Sequence, residues 1–178
     1  MALGATIYNL DVQLANVDRG VYETLSFRAA QHPSESNEYF VARVLAYCLE
    51  YAEGIGFSKG LADPDDPAIS VRDLTGALVS WIEIGAPDAA RLHRASKASP
   101  RVAVYTHRDP RALLRSLEGE RIHRADEIEI YAFDRELIAG LAERLDRRMA
   151  LDVSLNDGEL YVTMGGEALS GPVERLSL

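Results

Sequence analysis

Three carboxylates in two segments of the chain have the clearest chemical potential. Glu38 heads an apolar stripe that runs through residues 41–52 of a predicted helix. Glu83 lies between two isoleucines in a predicted strand, and Asp73 lies in a turn before that strand. Burying a lone charge is costly, so such acids require partners. Carboxylate oxygens are the preferred ligands of Mg²⁺, and the three acids therefore indicate a hard-metal site.

The spacing of these residues suggests how they could meet. Residues two apart in a strand share a face, so Trp81 and Glu83 should point the same way, next to Gly85. Ser34, Glu35 and Glu38 occupy neighbouring positions on one side of the helix. If that helix packs on the sheet, Glu38 approaches Asp73 and Glu83. We therefore predict a magnesium site built from these three acids, with Ser34 and Glu35 as secondary candidates.

Each acid also has a purely structural interpretation. Glu35 and Glu38 would complement the helix dipole if Ser34 is the N-cap. Asp73 would shape its own turn. Glu83 would form a buried ion pair with an arginine of the following helix, for which Arg91 and Arg94 are the candidates.

Basic residues are concentrated in one window, Arg91–Arg124. Its nine basic and three acidic residues give it a charge of +6, whereas the rest of the chain carries −15. The net charge of −9 argues against a general nucleic-acid-coating protein, so contact with nucleic acid would have to use this window. A solvated helix face with loops is the alternative. The basic members are Arg91, Arg94, Lys97, Arg101, Arg108, Arg111, Arg115, Arg121 and Arg124.

Length and composition bound the class of protein. At 178 residues, 47% hydrophobic and 26% charged, the chain predicts one globular domain over residues 1–178. It contains no apolar run of membrane-spanning length and no secretion-signal pattern, so we expect a cytoplasmic protein without a membrane partner. Cys48, the single cysteine, excludes an internal disulfide and lies where a core residue is expected.

Hydrophobic periodicity predicts seven strands and four helices in the order ββαβαβαβαββ. The predicted strands cover 5–16, 21–28, 78–84, 101–106, 127–133, 149–155 and 159–164, and the helices 34–53, 87–98, 110–117 and 134–147. An α/β fold follows, with a mixed central β-sheet flanked by helices and with N-terminal and C-terminal hairpins.

Several motifs resemble the bacterial YaeQ family over essentially the whole chain. They are Met1-Ala2-Leu3-Gly4-Ala5-Thr6-Ile7-Tyr8, His32-Pro33-Ser34-Glu35 with Glu38, Asp73-Leu74-Thr75-Gly76 and Trp81-Ile82-Glu83-Ile84-Gly85. The resemblance implies a variant of the PD-(D/E)XK nuclease core. By that resemblance Glu38, or else Glu35, stands for the helical acid, Asp73 for the first strand acid and Glu83 for the acid of the third motif.

The function implied is magnesium-dependent phosphodiester hydrolysis of a nucleic acid, with the metal activating water. Gly85 stands where such nucleases usually have a lysine, so the phosphate-steadying cation would have to be Lys97 or Arg94 from the following helix. The catalytic candidates are therefore Glu83, Lys97 and Arg94. The alternative is a nuclease fold without turnover that binds nucleic acid or protein through the window Arg91–Arg124.

Overall fold

The computed structural model describes residues 4–58 and 65–178. These residues form a mixed α/β structure with ten strands and four α-helices. In chain order they are β1 (Thr6–Asn16), β2 (Val21–Gln31), α1 (Asn37–Leu49), β3 (Ile55–Phe57), β4 (Ile69–Arg72), β5 (Leu78–Ile84), α2 (Ala89–Ala98), β6 (Arg101–Thr106), α3 (Pro110–Leu117), β7 (Glu129–Phe133), α4 (Arg135–Ala142), β8 (Arg148–Asn156), β9 (Glu159–Met164) and β10 (Glu167–Leu176).

The chain divides into two compact units. The first combines Met1–Leu49 with Phe133–Val173, and the second combines Glu50–Ala132 with Glu174–Leu178. The first unit is thus built from two separate stretches of sequence. Whether residues 1–178 behave as one domain stays a prediction.

The first unit is organised by β1. This strand pairs antiparallel with β2 and parallel with β8, and β9 continues antiparallel from β8 to β10. Burial alternates along β1, as expected of a sheet with one solvated face. Helices α1 and α4 contribute core residues such as Phe40, Leu45 and Leu141, each fully buried. The predicted N-terminal and C-terminal hairpins are confirmed.

Asp18, in the turn of the first hairpin, contacts the turn of the last one. Its two carboxylate oxygens accept hydrogen bonds from the amides of Asp157 (2.7 Å) and Gly158 (2.9 Å). Both of those residues have positive φ, as a tight two-residue hairpin turn requires. The side chain thereby ties two turns that lie about 140 residues apart in sequence.

The second unit contains an antiparallel run, β3–β4–β5, followed by β6 and β7, which run parallel to β5. The parallel pairs require crossover connections, and α2 and α3 supply them. Trp81, Leu92, Val104, Leu113 and Ile130 form the centre of its core.

Aspartates begin the helices of this unit. Asp88 accepts a hydrogen bond from the amide of Arg91 at 2.8 Å, and Asp109 accepts one from Arg111 at 3.0 Å. These are ordinary N-caps, so neither aspartate is an available acid of a site.

The described structure has three strands more than the sequence predicts, namely β3, β4 and β10. Strand β3 is only three residues long, and β10 contains Gly171 and Pro172, which weaken any strand signal. Helix α1 begins at Asn37 rather than Ser34 and ends at Leu49 rather than near Glu53. No helix among the described residues is long and apolar enough to cross a membrane.

Candidate functional site

Glu83 is a buried acid of the second unit, and its charge is matched by a protein cation. Only 5% of the residue is exposed. Its Oε1 accepts hydrogen bonds from the indole nitrogen of Trp81 (2.5 Å) and from Nε of Arg91 (2.8 Å). The Arg91 guanidinium also lies over the Trp81 ring, at 5.6 Å from its centre. The sequence analysis named Arg91 and Arg94 as candidate partners, and it is Arg91 that forms the ion pair with Glu83.

Asp73 shapes its own turn. Its Oδ1 accepts hydrogen bonds from the hydroxyl and amide of Thr75 (2.6 and 2.9 Å) and from the amide of Ala77 (3.0 Å). The Thr75 hydroxyl, and after it the backbone amides, lower the pKa of the Asp73 carboxyl, although partial desolvation opposes them. The residue is exposed. This pattern is that of an Asx turn.

Glu35 and Glu38, the two acids near the start of α1, differ in burial. Glu38 is exposed, so the prediction that it heads a buried stripe is wrong. Glu35 is the buried one, because its side chain is 4% exposed and forms a two-point ion pair with Arg43, at 3.1 and 3.2 Å. Arg43 also donates to the carbonyl of Ala30 at 2.5 Å. The pair fixes the turn before α1 to the helix.

Ser34 is not the helix cap. Its hydroxyl lies 2.8 Å from Nδ1 of His32, within the turn. The cap position is taken by Ser36, whose hydroxyl accepts from the amide of Tyr39 at 3.0 Å. The expectation that Ser34 begins the helix is wrong, because residues 33–35 form a turn and the helix starts only after Ser36.

The magnesium site of Glu38, Asp73 and Glu83 stays a prediction, because its residues are described in two separate units. Ser34, Glu35 and Glu38 belong to the first unit, whereas Asp73, Glu83, Arg94 and Lys97 belong to the second. Among the described residues, no group of three or more His, Cys, Asp or Glu side chains could hold a metal ion. Asp73 and Glu83 both use an oxygen to accept hydrogen bonds from protein donors, and Arg91 neutralises Glu83. A hard cation that binds Oδ1 of Asp73 or Oε1 of Glu83 would have to displace those donors.

Three arginines of the basic window are committed to internal contacts. Arg91 holds Glu83 and the carbonyl of Asp66. Arg101 bridges Glu50 and Glu129, and Arg124 donates to backbone carbonyls at the end of α2. Arg94 lies 3.9 Å from Asp65, and both of those side chains are at least half exposed.

The remaining basic side chains of the window are exposed, and in the described part of the chain they form no ion pair. They lie on α2, on α3 and in the segments that follow β6 and α3. They are Lys97, Arg108, Arg111, Arg115 and Arg121.

A partly buried network around Arg101 was not foreseen from the sequence. Arg101 donates to both carboxylate oxygens of Glu50 (2.6 and 3.0 Å) and to both of Glu129 (2.6 and 3.2 Å). The hydroxyls of Tyr105 and Tyr131 each donate to one of these acids at 2.6 Å. Burial first, and then Glu129, raises the pKa of Tyr131 to about 12. The tyrosines are therefore hydrogen-bond donors rather than bases.

Two histidines meet beside the unpaired cations. The amide of His123 donates to Nδ1 of His93 at 3.0 Å, and the two rings lie edge to face with their centres 6.4 Å apart. Desolvation first, and then the charges of Lys97, His123 and Arg121, lower the pKa of His93. No motif spacing predicts this contact, because residues 93 and 123 come from separate elements.

Comparisons with known proteins agree on one relationship. The family model described as "YaeQ protein" matches residues 1–171. A relative from Escherichia coli K12, "Uncharacterized protein YaeQ", is 32% identical over 166 residues, which cover 92% of this chain and 91% of the relative. One from Salmonella typhi is 29% identical over 164 residues, again 92% and 91%.

Solved structures extend the likeness to the fold. The crystal structure of YaeQ protein from Pseudomonas syringae has a TM-score of 0.86 at 29% identity and covers 97% of this chain and 96% of its own. That of YaeQ protein from Xanthomonas axonopodis pv. citri has a TM-score of 0.85 at 28% identity, with 97% of each chain covered. The chain belongs to the YaeQ family.

Proposed function

We propose that the chain is a nucleic-acid-binding protein, a variant of the PD-(D/E)XK nuclease fold that grips phosphates through the exposed cations of its second unit. Metal-dependent hydrolysis is the competing prediction. The observation that carries the proposal is the set of five exposed basic side chains without ion pairs among the described residues, in a protein of net charge −9.

The unpaired state of these cations is informative because acids are abundant in this chain. It has 28 Asp and Glu residues against 19 Lys and Arg. In the same unit, the arginines that serve the fold are each matched by a carboxylate or by carbonyls, as Arg91, Arg101 and Arg124 are. The five others are left for a partner outside the chain. Phosphate is the partner that clustered Lys and Arg select.

Helix α3 keeps two like charges together. Arg111 and Arg115 are four residues apart, on one face of the helix, and both are exposed. Such a pair costs an isolated helix about 0.2–0.5 kcal/mol. Arg115 also complements the dipole at the end of the helix, but Arg111 lies in the first turn, where that dipole opposes it. Binding to an anion would offset this cost.

The surroundings of Glu83 favour binding over hydrolysis. Its charge is offset by Arg91 at 2.8 Å, and Trp81 occupies the same oxygen. Asp73 is engaged by Thr75 and Ala77. A nuclease acid has to offer its oxygens to a metal, and one oxygen of each of these two acids already accepts from protein donors.

The test is charge reversal on α3. The double variant Arg111→Glu/Arg115→Glu is compared with the unaltered protein by fluorescence anisotropy, using labelled single-stranded DNA and RNA without added metal. We expect at least a tenfold loss of affinity, because each reversal replaces an attraction to phosphate by a repulsion.

A matched control variant has the same net charge as Arg111→Glu/Arg115→Glu. Arg135→Glu/Arg147→Glu reverses two exposed arginines of the first unit. Affinity that falls equally in both double variants would reflect net charge alone and would contradict the proposal. Absence of any measurable binding by the unaltered protein would contradict it as well.

A further inference from the structure

We propose that His93, Lys97, Arg121 and His123 form a specific phosphate-binding site in the second unit, and that His93 gains a proton more readily when the site is occupied. This inference rests on the proposed function and deepens it, because it identifies one anchoring point and a dependence on pH. The ligand is a phosphodiester or another oxyanion.

The site is assembled from two elements. His93 and Lys97 are four residues apart on α2 and therefore share a face. Arg121 and His123 come from the segment after α3, and the amide of His123 joins the two elements by donating to Nδ1 of His93. All four are bases, so the site offers donors for an anion.

Arg124 holds these elements in place. Its guanidinium donates to the carbonyls of Ser96 (2.6 Å) and Ser99 (2.8 Å), at the C-terminal end of α2. The contact uses carbonyls that the helix itself cannot satisfy. It fixes the segment 121–124 against α2, so the donors need little reorganisation when an anion binds.

The hydrogen bond between the histidines determines what His93 can do. Because Nδ1 accepts from an amide, the neutral ring carries its proton on Nε2. Neutral His93 therefore has an Nε2–H donor, while Lys97 supplies a point charge and Arg121 a fork of donors suited to two oxygens of one phosphate.

The direction of the proton coupling follows from the charges around His93. The groups that act on it are Lys97 on its own helix and Arg121 and His123 on the packed segment, and with desolvation they lower the pKa of His93. A bound anion offsets the positive charges and so raises that pKa. Protonation adds its proton to Nδ1, so the hydrogen bond from the His123 amide is given up while Arg124 still holds the segment against α2. By reciprocity, protonating His93 tightens anion binding, and affinity rises as pH falls through the titration range of His93.

The experiment measures the pKa of His93 with and without ligand. The imidazole signals of the four histidines are followed by NMR between about pH 5.5 and pH 8 and are assigned with single His→Gln variants. The probes are sulfate and a short oligothymidylate, whose charges stay constant over this range. We expect ligand to raise the pKa of His93, and a rise of one unit corresponds to about tenfold tighter binding at low pH.

Two variants and one internal control make the result specific. Lys97→Gln and Arg121→Gln should each raise the pKa of His93 without ligand, because each removes a neighbouring positive charge, and each should weaken binding. His32, in the first unit, is the control whose imidazole signals should not respond to either ligand.

The outcomes separate this inference from the proposed function. If the oligonucleotide binds while the pKa of His93 stays constant, the site is wrong and the function survives. If sulfate raises the pKa of His93 but no oligonucleotide binds, the site survives and the function is wrong. If neither ligand changes the protein, both are wrong.

Discussion

At the scale of single residues, Glu83 illustrates why a buried acid need not be a metal ligand. A carboxylate between two isoleucines does require compensation, and the chain provides it with Arg91, eight positions further on. The local pattern of Glu83 is the same in either case. The position of Arg91 on α2 is what brings its guanidinium to the carboxylate.

Glu83→Ala should lower the free energy of unfolding by about 3–5 kcal/mol, because it leaves the indole N–H of Trp81 and the Arg91 guanidinium without their acceptor. Chemical denaturation measures the change. Arg91→Ala is the matched partner, and the double variant should cost less than the sum of the two single ones.

A second variant of this residue, Glu83→Gln, tests the competing hydrolase prediction. If Glu83 is structural, Mg²⁺ should leave the melting temperature of the unaltered protein unchanged, and calorimetry should show no saturable binding that Glu83→Gln abolishes. Saturable Mg²⁺ binding lost in Glu83→Gln would overturn the structural interpretation and restore Mg²⁺-dependent hydrolysis as the leading function.

At the scale of elements, the sequence predicts what periodicity and caps encode. The strand 78–84, the helix 110–117 and the hairpin around Asp157 lie where the pattern puts them. Strand β3 was missed because it is only three residues long, and β10 because Gly171 and Pro172 weaken its pattern, although each pairs with a strand nearby in sequence. The network of Glu50, Arg101 and Glu129 was missed because its members are up to 79 positions apart.

The acids of α1 show a limit of periodicity. The phase of a helical stripe is the same wherever the helix begins, so periodicity puts Glu38 in line with the buried side but does not show whether the core covers that end of the helix. With the start at Asn37, Glu38 falls in the first turn and is exposed, whereas Glu35 lies before the helix and reaches Arg43. The predicted helix boundary was wrong by three residues, and Glu38 was assigned to the core although it is exposed in the first turn.

Gly54 fixes the short edge strand β3 to β4. Its φ is +89°, and a Cβ there would overlap the carbonyl oxygen of Arg72. Gly54→Ala should therefore lower the free energy of unfolding by more than about 2 kcal/mol, as measured by chemical denaturation.

Gly56→Ala is the control for this prediction. Gly56 lies in β3 itself, and a Cβ there meets no atom within 4 Å. Its substitution should change stability by less than half of the effect at Gly54. Equal losses in the two variants would mean that the close approach at Arg72 is not the cause.

At the scale of the whole molecule, charge is divided unevenly along the chain. A positive window lies within a protein of net charge −9, so nucleic acid should be attracted at one place and repelled elsewhere. Such a distribution gives binding a strong orientation but limits the number of phosphates that the protein can neutralise.

The salt dependence of binding should report that number. Five unpaired cations predict a slope of log affinity against log salt of about −3.5 on single strands, at about −0.7 for each phosphate. Anisotropy titrations at several salt concentrations measure it. A slope near −6 would mean that all nine basic residues of the window take part, which would require the internal ion pairs to open.

The parallel pairing of β1 with β8 has a consequence for synthesis on the ribosome. Strand β1 is synthesised before residues 50–132, but its partner at 148–156 emerges only after all of them. The edge of β1 that later pairs with β8 stays unpaired during this time, while most of the second unit can already fold. During that interval the nascent chain exposes an open strand edge, which can pair with other chains. A chaperone that covers this edge, or fast translation of the segment that contains β8, would therefore raise the yield of folded protein.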